Sequence, residues 1–449
     1  MSAGALNSLR LCSTAVIAAA VSVVPLSAPF AQDVPMFRGN LAHTGEVATN
    51  GPTSLQVKWK FATNGFVISS PAVVGRTVYV GSADGRLYAI DRDSGTKRWA
   101  FQTHLRISSS PAVSDGLVYV LSYDDTLYAV DAATGQAKWR FGTQGEHRYT
   151  ATYLHGGLPK HEARPDPYDL YLSSPAVSNG IVYFGSGDSH VYALDARTGA
   201  LKWKFKTGDV VHSSPAVVGG TVYIGGWDTF FYALDAATGA LKWKFKTGDD
   251  PVFHNQIGIA SSPAVVDGVV YFGCRDSHLY AVDAKTGKEK WRRRNGGAWV
   301  ISSPAVAHGK VYYATADQRT VVELNAATGD SLWATRGSWY FFGSPAIAGS
   351  MAYIGNWDGR FYAFDMATHM QTAMFETDSA RAQRAKYLAP DGGYIFATSR
   401  LNREAFYDQL VVRVMNSLTM GGYLSSPVVS DGVVYVGSMD GNVYALGNR

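Results

Sequence analysis

From residue 55 onward the chain is written in short apolar runs separated by breaks rich in glycine and aspartate. Residues 69–99 show the unit: Ser-Ser-Pro-Ala-Val-Val, then Thr-Val-Tyr-Val-Gly, then Arg-Leu-Tyr-Ala-Ile-Asp, then a run entered at Trp99. Valine, isoleucine, leucine and tyrosine suit a pleated, partly buried surface, so each run reads as a strand. The breaks Gly75-Arg76, Asp84-Gly85 and Ser94-Gly95 hold glycines that tolerate the positive φ of tight turns. Strands joined by such turns make an antiparallel meander.

The Ser-Ser-Pro-Ala-Val theme recurs, with its proline at Pro71, Pro111, Pro175, Pro215, Pro263, Pro304, Pro345 and Pro427. Successive spacings are 40, 64, 40, 48, 41, 41 and 82 residues, a propeller-blade period interrupted by extra sequence. A lone blade cannot bury both faces of its sheet, so neighbours must stack around an axis and the ring must shut. The prediction is an all-β fold over residues 32–449, a single eight-bladed β-propeller of four-stranded antiparallel blades. Fourth strands carry Trp99, Trp139, Trp203, Trp243, Trp291 and Trp333, with Met374 in the seventh unit, and the eighth unit ends one strand short. Val57-Lys58-Trp59-Lys60-Phe61 is a spare fourth strand, predicted to complete the last blade and close the ring. The interruptions at 144–170 and 375–422, and a smaller expansion from Asp249 to Ala260, each join a fourth strand to the next first strand. All are therefore expected over one mouth of the ring. The second lacks the proline and tryptophan signatures and reads as an insertion, with Gly393 to Ala397 as a candidate strand.

Charge narrows the partners. A net +4 over 449 residues contains no basic run of the kind that nucleic acid or a membrane surface would need. Residues 1–31 read as an export signal peptide, with Arg10 ahead of an apolar stretch from Thr14 to Val24 that is too short to span a bilayer. Cleavage is placed after Ala31. Cys12 lacks a lipidation context. The mature protein is thus expected to be soluble, without a membrane span, in the periplasm or outside the cell. Only Cys274 then remains, so no intrachain disulfide forms. It stands on an apolar strand where sister units have Ser82 or Ser186, and reads as a buried, inert thiol.

The run Ala129-Val-Asp131-Ala-Ala-Thr134-Gly135-Gln-Ala-Lys-Trp139 resembles the tryptophan-docking motif of PQQ-binding-like (quinoprotein) propellers, and similar runs end at the other fourth-strand tryptophans. The resemblance covers nearly all of residues 55–449. It is specific for fold and not for activity, because this superfamily includes both PQQ-dependent alcohol dehydrogenases and the non-catalytic BamB. It implies two functions. One is a periplasmic oxidoreductase using PQQ, with Ca2+, to oxidise an alcohol, sugar or aldehyde. The other is a scaffold that binds a protein partner in the cell envelope. Departures from the dehydrogenase pattern are the missing adjacent cysteine pair, the missing calcium-ligand set and the shorter chain. No Cys-x-x-Cys-His exists, so no haem is expected and electrons would leave to an external acceptor. Gly-x-Ser-x-Gly, phosphate-loop and His-Glu-x-x-His signatures are missing too.

In a ring of similar units, a function must be written where units differ. Residues just before the first strands vary around the mouth and include Arg106, His212, His254, Trp299, Tyr340 and Tyr423. In the turns between second and third strands, Trp227 and Trp357 replace smaller or different residues, and Arg275 is a further departure. Aromatic planes beside arginine and histidine suit a flat anionic ligand such as PQQ, through stacking, cation–π contact and charge-assisted hydrogen bonds. These nine residues are the candidate cofactor site, and packing is the competing role for each. His212 and His254 lie in successive blades, yet two histidines alone do not make a metal site, and none is predicted. The aspartate repeated in every such turn, from Asp84 to Asp440, reads as turn chemistry. The charged residues of the first insertion, Glu146, His147, Arg148, His155, Lys160, His161 and Arg164, are expected to be mostly solvated, as are Arg381, Arg384, Lys386, Arg400 and Arg403 in the second.

Overall fold

Eight antiparallel sheets follow one another along the chain in a computed structural model that describes residues 1, 32–390, 393–395 and 406–449. Residues 2–31 of the expected signal peptide and the insertion residues Arg400 and Arg403 lie outside the described residues. The first blade is built from Ala72–Val74, Thr77–Gly81, Arg86–Asp91 and Lys97–Gln102. The next five repeat this pattern, and the seventh gains a short parallel strand, Glu46–Val47, beside Ala346–Ala348. In the eighth, Gln56–Ala62 pairs antiparallel with Asn442–Gly447, so the predicted closing strand completes the last blade.

The tryptophan motif is what joins blades. Each docked indole lies over the turn glycine of the following blade and donates its Nε1 to a backbone carbonyl there, as Trp203 does over Gly239 to Ala236. Trp59 repeats this across the closure, donating to the Arg92 carbonyl. Arg92 in turn pairs with Asp431 of the last blade at 2.6 Å. Where the glycine becomes His369, the imidazole stacks on Trp333 instead, 5.2 Å between centroids and 8° between planes. Six of the eight turn aspartates behave as turn chemistry, as Asp84 does in accepting from the amides of Asn64 and Arg86 and from the Tyr88 hydroxyl, whereas Asp358 is fully buried with neither carboxylate oxygen partnered among the described residues.

At the axis the serine preceding each repeat proline forms a belt. Each backbone N–H donates to the Oγ of the equivalent serine in the next blade, from Ser70 to Ser110 at 2.9 Å. The pattern passes through Ser174, Ser214, Ser262, Ser303 and Ser344. It returns through Ser426 to Ser70. First strands leave a free edge toward the channel, and an unpaired buried amide is costly. The chain covers that edge with residues 34–45. Carbonyls of Val34, Pro35, Leu41, Ala42, Thr44 and Gly45 accept from the amides of Val73, Val113, Val217, Val265, Val306 and Ile347. This segment therefore crosses the end of the channel that holds the first-to-second-strand turns, away from the insertions.

The insertions gather at the other mouth, as expected. The first contains a hairpin pairing Thr150–Thr152 with Ala163–Pro165. The second contains two helices, α1 (Asp378–Tyr387) and α2 (Phe406–Thr419), so its described part is not a degenerate blade. Thr377 caps α1 by accepting the Ala380 amide. In α2, Tyr407, Leu410, Val414 and Leu418 share the buried face expected of a 3.6-residue period. Tyr394 makes a single bridge to Leu388, and Phe396 and Ala397 lie outside the described residues. The Tyr407 hydroxyl donates to the Pro165 carbonyl and Arg164 reaches Asp408 at 3.3 Å, which ties the two insertions together. The His155 amide donates to Phe253 of the third expansion. No helix among the described residues is long and apolar enough to cross a membrane.

Candidate functional site

Seven of the nine candidate residues lie under or beside the insertions, and the chain itself supplies their partners. Arg275 is 1% exposed and lies with its guanidinium 3.8 Å from the Trp299 ring centre and 4.9 Å from that of Trp227. Its Nη1 donates to Asp166 of the first insertion at 2.7 Å. The same Asp166 oxygen lies 3.3 Å from His155 Nε2, and the other oxygen accepts the Tyr168 amide at 2.8 Å. Burial alone would raise the Asp166 pKa, but the charge of Arg275 and the contact with His155 outweigh it and hold the carboxyl well below its ordinary range.

The aromatic faces are covered in the same way. Tyr149 stacks on Trp227 with centroids 4.8 Å apart and planes 18° apart. Tyr168 meets Trp299 edge-on at 5.3 Å and lies over Trp357 at 6.0 Å. His212 Nδ1 lies 2.7 Å from Asp169, whose other oxygen accepts the Tyr149 amide. Tyr340 stacks on Trp339, and its hydroxyl accepts from Arg413 of α2 at 3.3 Å.

The two remaining candidates fall elsewhere. Tyr423 is fully buried in the core between the seventh and eighth blades, with its ring 5.3 Å from Phe361. It occupies the register of Ile107 and Val211, which pack over a strand glycine in other blades as Tyr423 packs over Gly355. Arg106 is half-buried and spends its face on Tyr123, 3.9 Å away. His254 is half-buried on the third expansion, and no contact joins it to His212 among the described residues.

Glu146 and His155 also differ from the solvated surface expected of the first insertion, being 7% and 4% exposed. Glu146 accepts from the Ser186 hydroxyl at 2.6 Å and from the Gly187 amide at 2.8 Å. Burial pushes its pKa up to about 7. Cys274 is fully buried and its thiol pKa is raised by that burial, as expected of an inert core cysteine.

Sequence reasoning missed Tyr149, Asp166, Tyr168 and Asp169. The usable signal was charge balance, because an arginine and a histidine introduced singly at buried positions need carboxylates nearby. Asp166-Pro-Tyr-Asp169 is an acidic and aromatic stretch in the insertion facing them.

What stays open among the candidate residues is a cavity of about 140 Å3 lined by His155, Tyr168, Trp299, Tyr340, Phe406 and Arg413, among others, while larger clefts of about 470 Å3 against α1 and about 760 Å3 against the third expansion include none of the nine. Arg275 Nε and Nη2 and the indole nitrogens of Trp227 and Trp357 are buried donors without an acceptor among the described residues. They would suit an anionic guest. A flat polycyclic guest, however, needs a slot of at least roughly 300 Å3 with free ring faces. With the first insertion docked, PQQ does not fit among these residues. Among the described residues no group of three or more histidines, cysteines and carboxylates is placed to hold a metal ion.

A closed eight-bladed ring with tryptophan-docked blades and one insertion-covered mouth defines the class of protein. The chain belongs to the family described as outer membrane protein assembly factor BamB, whose profile matches residues 43–155, 166–368 and 258–449. No curated protein sequence is significantly similar to it. Solved structures share the fold at low identity. BamB from Moraxella catarrhalis is 18% identical, with a TM-score of 0.62 over 88% of this chain and 98% of its own. A europium-containing methanol dehydrogenase is 14% identical, with a TM-score of 0.69 over 93% and 98%. The quinohemoprotein alcohol dehydrogenase from Comamonas testosteroni is 16% identical, with a TM-score of 0.67 over 93% of this chain and 81% of its own.

Proposed function

We propose that this chain is a non-catalytic propeller of the cell envelope, exported by its N-terminal leader, that acts by holding a protein partner. One observation carries the reading: Asp166, Tyr149 and Tyr168 of the first insertion take up the guanidinium and the aromatic faces that a flat redox cofactor would need. The docking surface is the crown made by the insertions. There Val252 and Phe253 of the third expansion and Phe406, Val412 and Met415 of α2 stand 42–56% exposed, and exposed apolar side chains in proximity mark interaction surfaces.

The test has two parts. Purified mature protein titrated with PQQ and Ca2+ is expected to show no saturable binding and no dye reduction with alcohols, aldoses or aldehydes. A photo-crosslinker at Met415 or Phe253 is expected to trap the same envelope protein, while one at Lys204 on an outer blade strand traps none. Tight stoichiometric PQQ binding would overturn the reading, as would equal labelling from both surfaces. A second reading, small-molecule binding without redox chemistry, is favoured by the cavity of about 140 Å3 beneath α2.

A further inference from the structure

Above the serine belt lies a second ring, made by the residue two positions before each belt serine. It is apolar at Ile68, Leu172, Ala260, Ile301, Phe342 and Leu424. The other two members are Ser108 and His212. Both are at least nine-tenths buried, at 4% and 2% exposed. Ser108 Oγ and His212 Nε2 have no partner among the described residues. The two rings, Tyr171 and Phe37 of the axial plug line a chamber of about 30 Å3.

The chemistry of this chamber is one-sided. No carboxylate lines it. Every belt hydroxyl already accepts an amide hydrogen, and none donates to an acceptor among the described residues, so the belt's hydrogens are left for a guest on the axis. His212 gives Nδ1 to Asp169, which leaves Nε2 as the group facing the chamber. Burial alone would lower the His212 pKa, but Asp169, Glu146 and Asp209 around the imidazole outweigh it and favour the cationic form, in which Nε2 carries a proton. Beside Phe37, Arg38 is 5% exposed with its Nε and Nη2 unpartnered, and burial lowers its pKa only to about 9, so it adds positive potential at neutral pH. A buried charge without compensation is costly.

We propose that the axial chamber binds a single monatomic anion of the halide class, held by His212 Nε2, the Ser108 hydroxyl and hydroxyls of the serine belt. A water needs roughly 10–15 Å3 measured this way, so the chamber admits one halide or about two waters and nothing polyatomic of sulfate size. Hydroxyl and imidazole hydrogens turned inward with no carboxylate in the lining favour a halide, which needs only donors, over water, which must also place its own hydrogens.

The mature chain is refolded and crystallised with bromide and measured at the bromine absorption edge, and its melting is followed in bromide and in sulfate at equal ionic strength. A single anomalous peak on the axis within contact of His212, with saturable stabilisation by bromide and not by sulfate, is the expected result. Ser108→Ala and His212→Gln, each checked for fold by melting in halide-free buffer, should weaken bromide binding about tenfold, as expected for the loss of one hydrogen bond to a charged group. No axial peak overturns the proposal. So does a peak that both variants retain in full, or stabilisation matched by sulfate, which marks an adventitious ion only.

Discussion

Replacing Asp166 by Asn tests whether the first insertion is docked by the buried pair or merely rests on the mouth. Asp166 is fully buried, its partner Arg275 is 1% exposed, and they are 2.7 Å apart. Breaking such a pair by removing one partner costs about 3–5 kcal/mol, because a charge is left buried without compensation. The cost falls on the docking of residues 144–170 and not on the ring, whose sheets and tryptophan joints do not involve Asp166. Each 1.4 kcal/mol is tenfold, so the population of undocked insertion rises by roughly two to four decades. Hydrogen exchange measured by mass spectrometry reads this directly. The amides of Tyr149, held by Asp169, and of Asp166, held by the Tyr149 carbonyl, should lose protection on that scale while blade peptides change little. Asp166→Leu combined with Arg275→Met should recover most of the protection, since replacing a buried pair by apolar residues is often neutral. Exchange within threefold of the parent in Asp166→Asn would show that the pair does not hold the insertion, and the account of the covered mouth would fail with it.

Two further outcomes follow from other parts of the molecule. Gly239→Ala puts a Cβ 2.7 Å from the Trp203 ring at φ +73, whereas Gly220→Ala at φ +70 meets nothing within 4 Å. Calorimetric melting should therefore show Gly239→Ala the less stable of the two by about 1–3 kcal/mol, the cost of overpacking, and equal melting would refute the docking role of the indole. Docking of the first insertion should also tighten on acidification. Glu146 has its pKa raised to about 7 and His212 has its own raised, so stability is fullest below their unfolded values and is lost as pH rises through the folded ones. Exchange protection of residues 145–170 higher at pH 8 than at pH 6 would contradict the assigned burial of both groups.

The ring was legible in the sequence because its physics is local and repeated. Strand alternation, turn glycines and the tryptophan motif recur in nearly every unit, and the unpaired eighth blade with its spare strand at Trp59 dictated how the ends meet. The mouth was half legible. Trp227, Arg275, Trp299 and Trp357 stood out as departures and do converge there, but their occupants come from an insertion without period, whose Asp166 and Asp169 find their partners only through tertiary placement. Tyr423 misled because it was compared by loop position instead of by strand register, where it aligns with aliphatic core residues. The axial plug was invisible for a different reason. Residues 34–45 are recognised through their backbone carbonyls, and a carbonyl has no letter in a sequence.

The closing strand and the plug both lie within residues 34–62, yet their hydrogen-bond partners are spread over blades made later, up to the last strand. Long-range pairing of this kind pays its loop entropy before it gains any contact, so assembly is slow and all-or-none. A chain made from its first residue onward therefore stays an open ring until its final strand arrives, and it becomes rigid in one step instead of blade by blade.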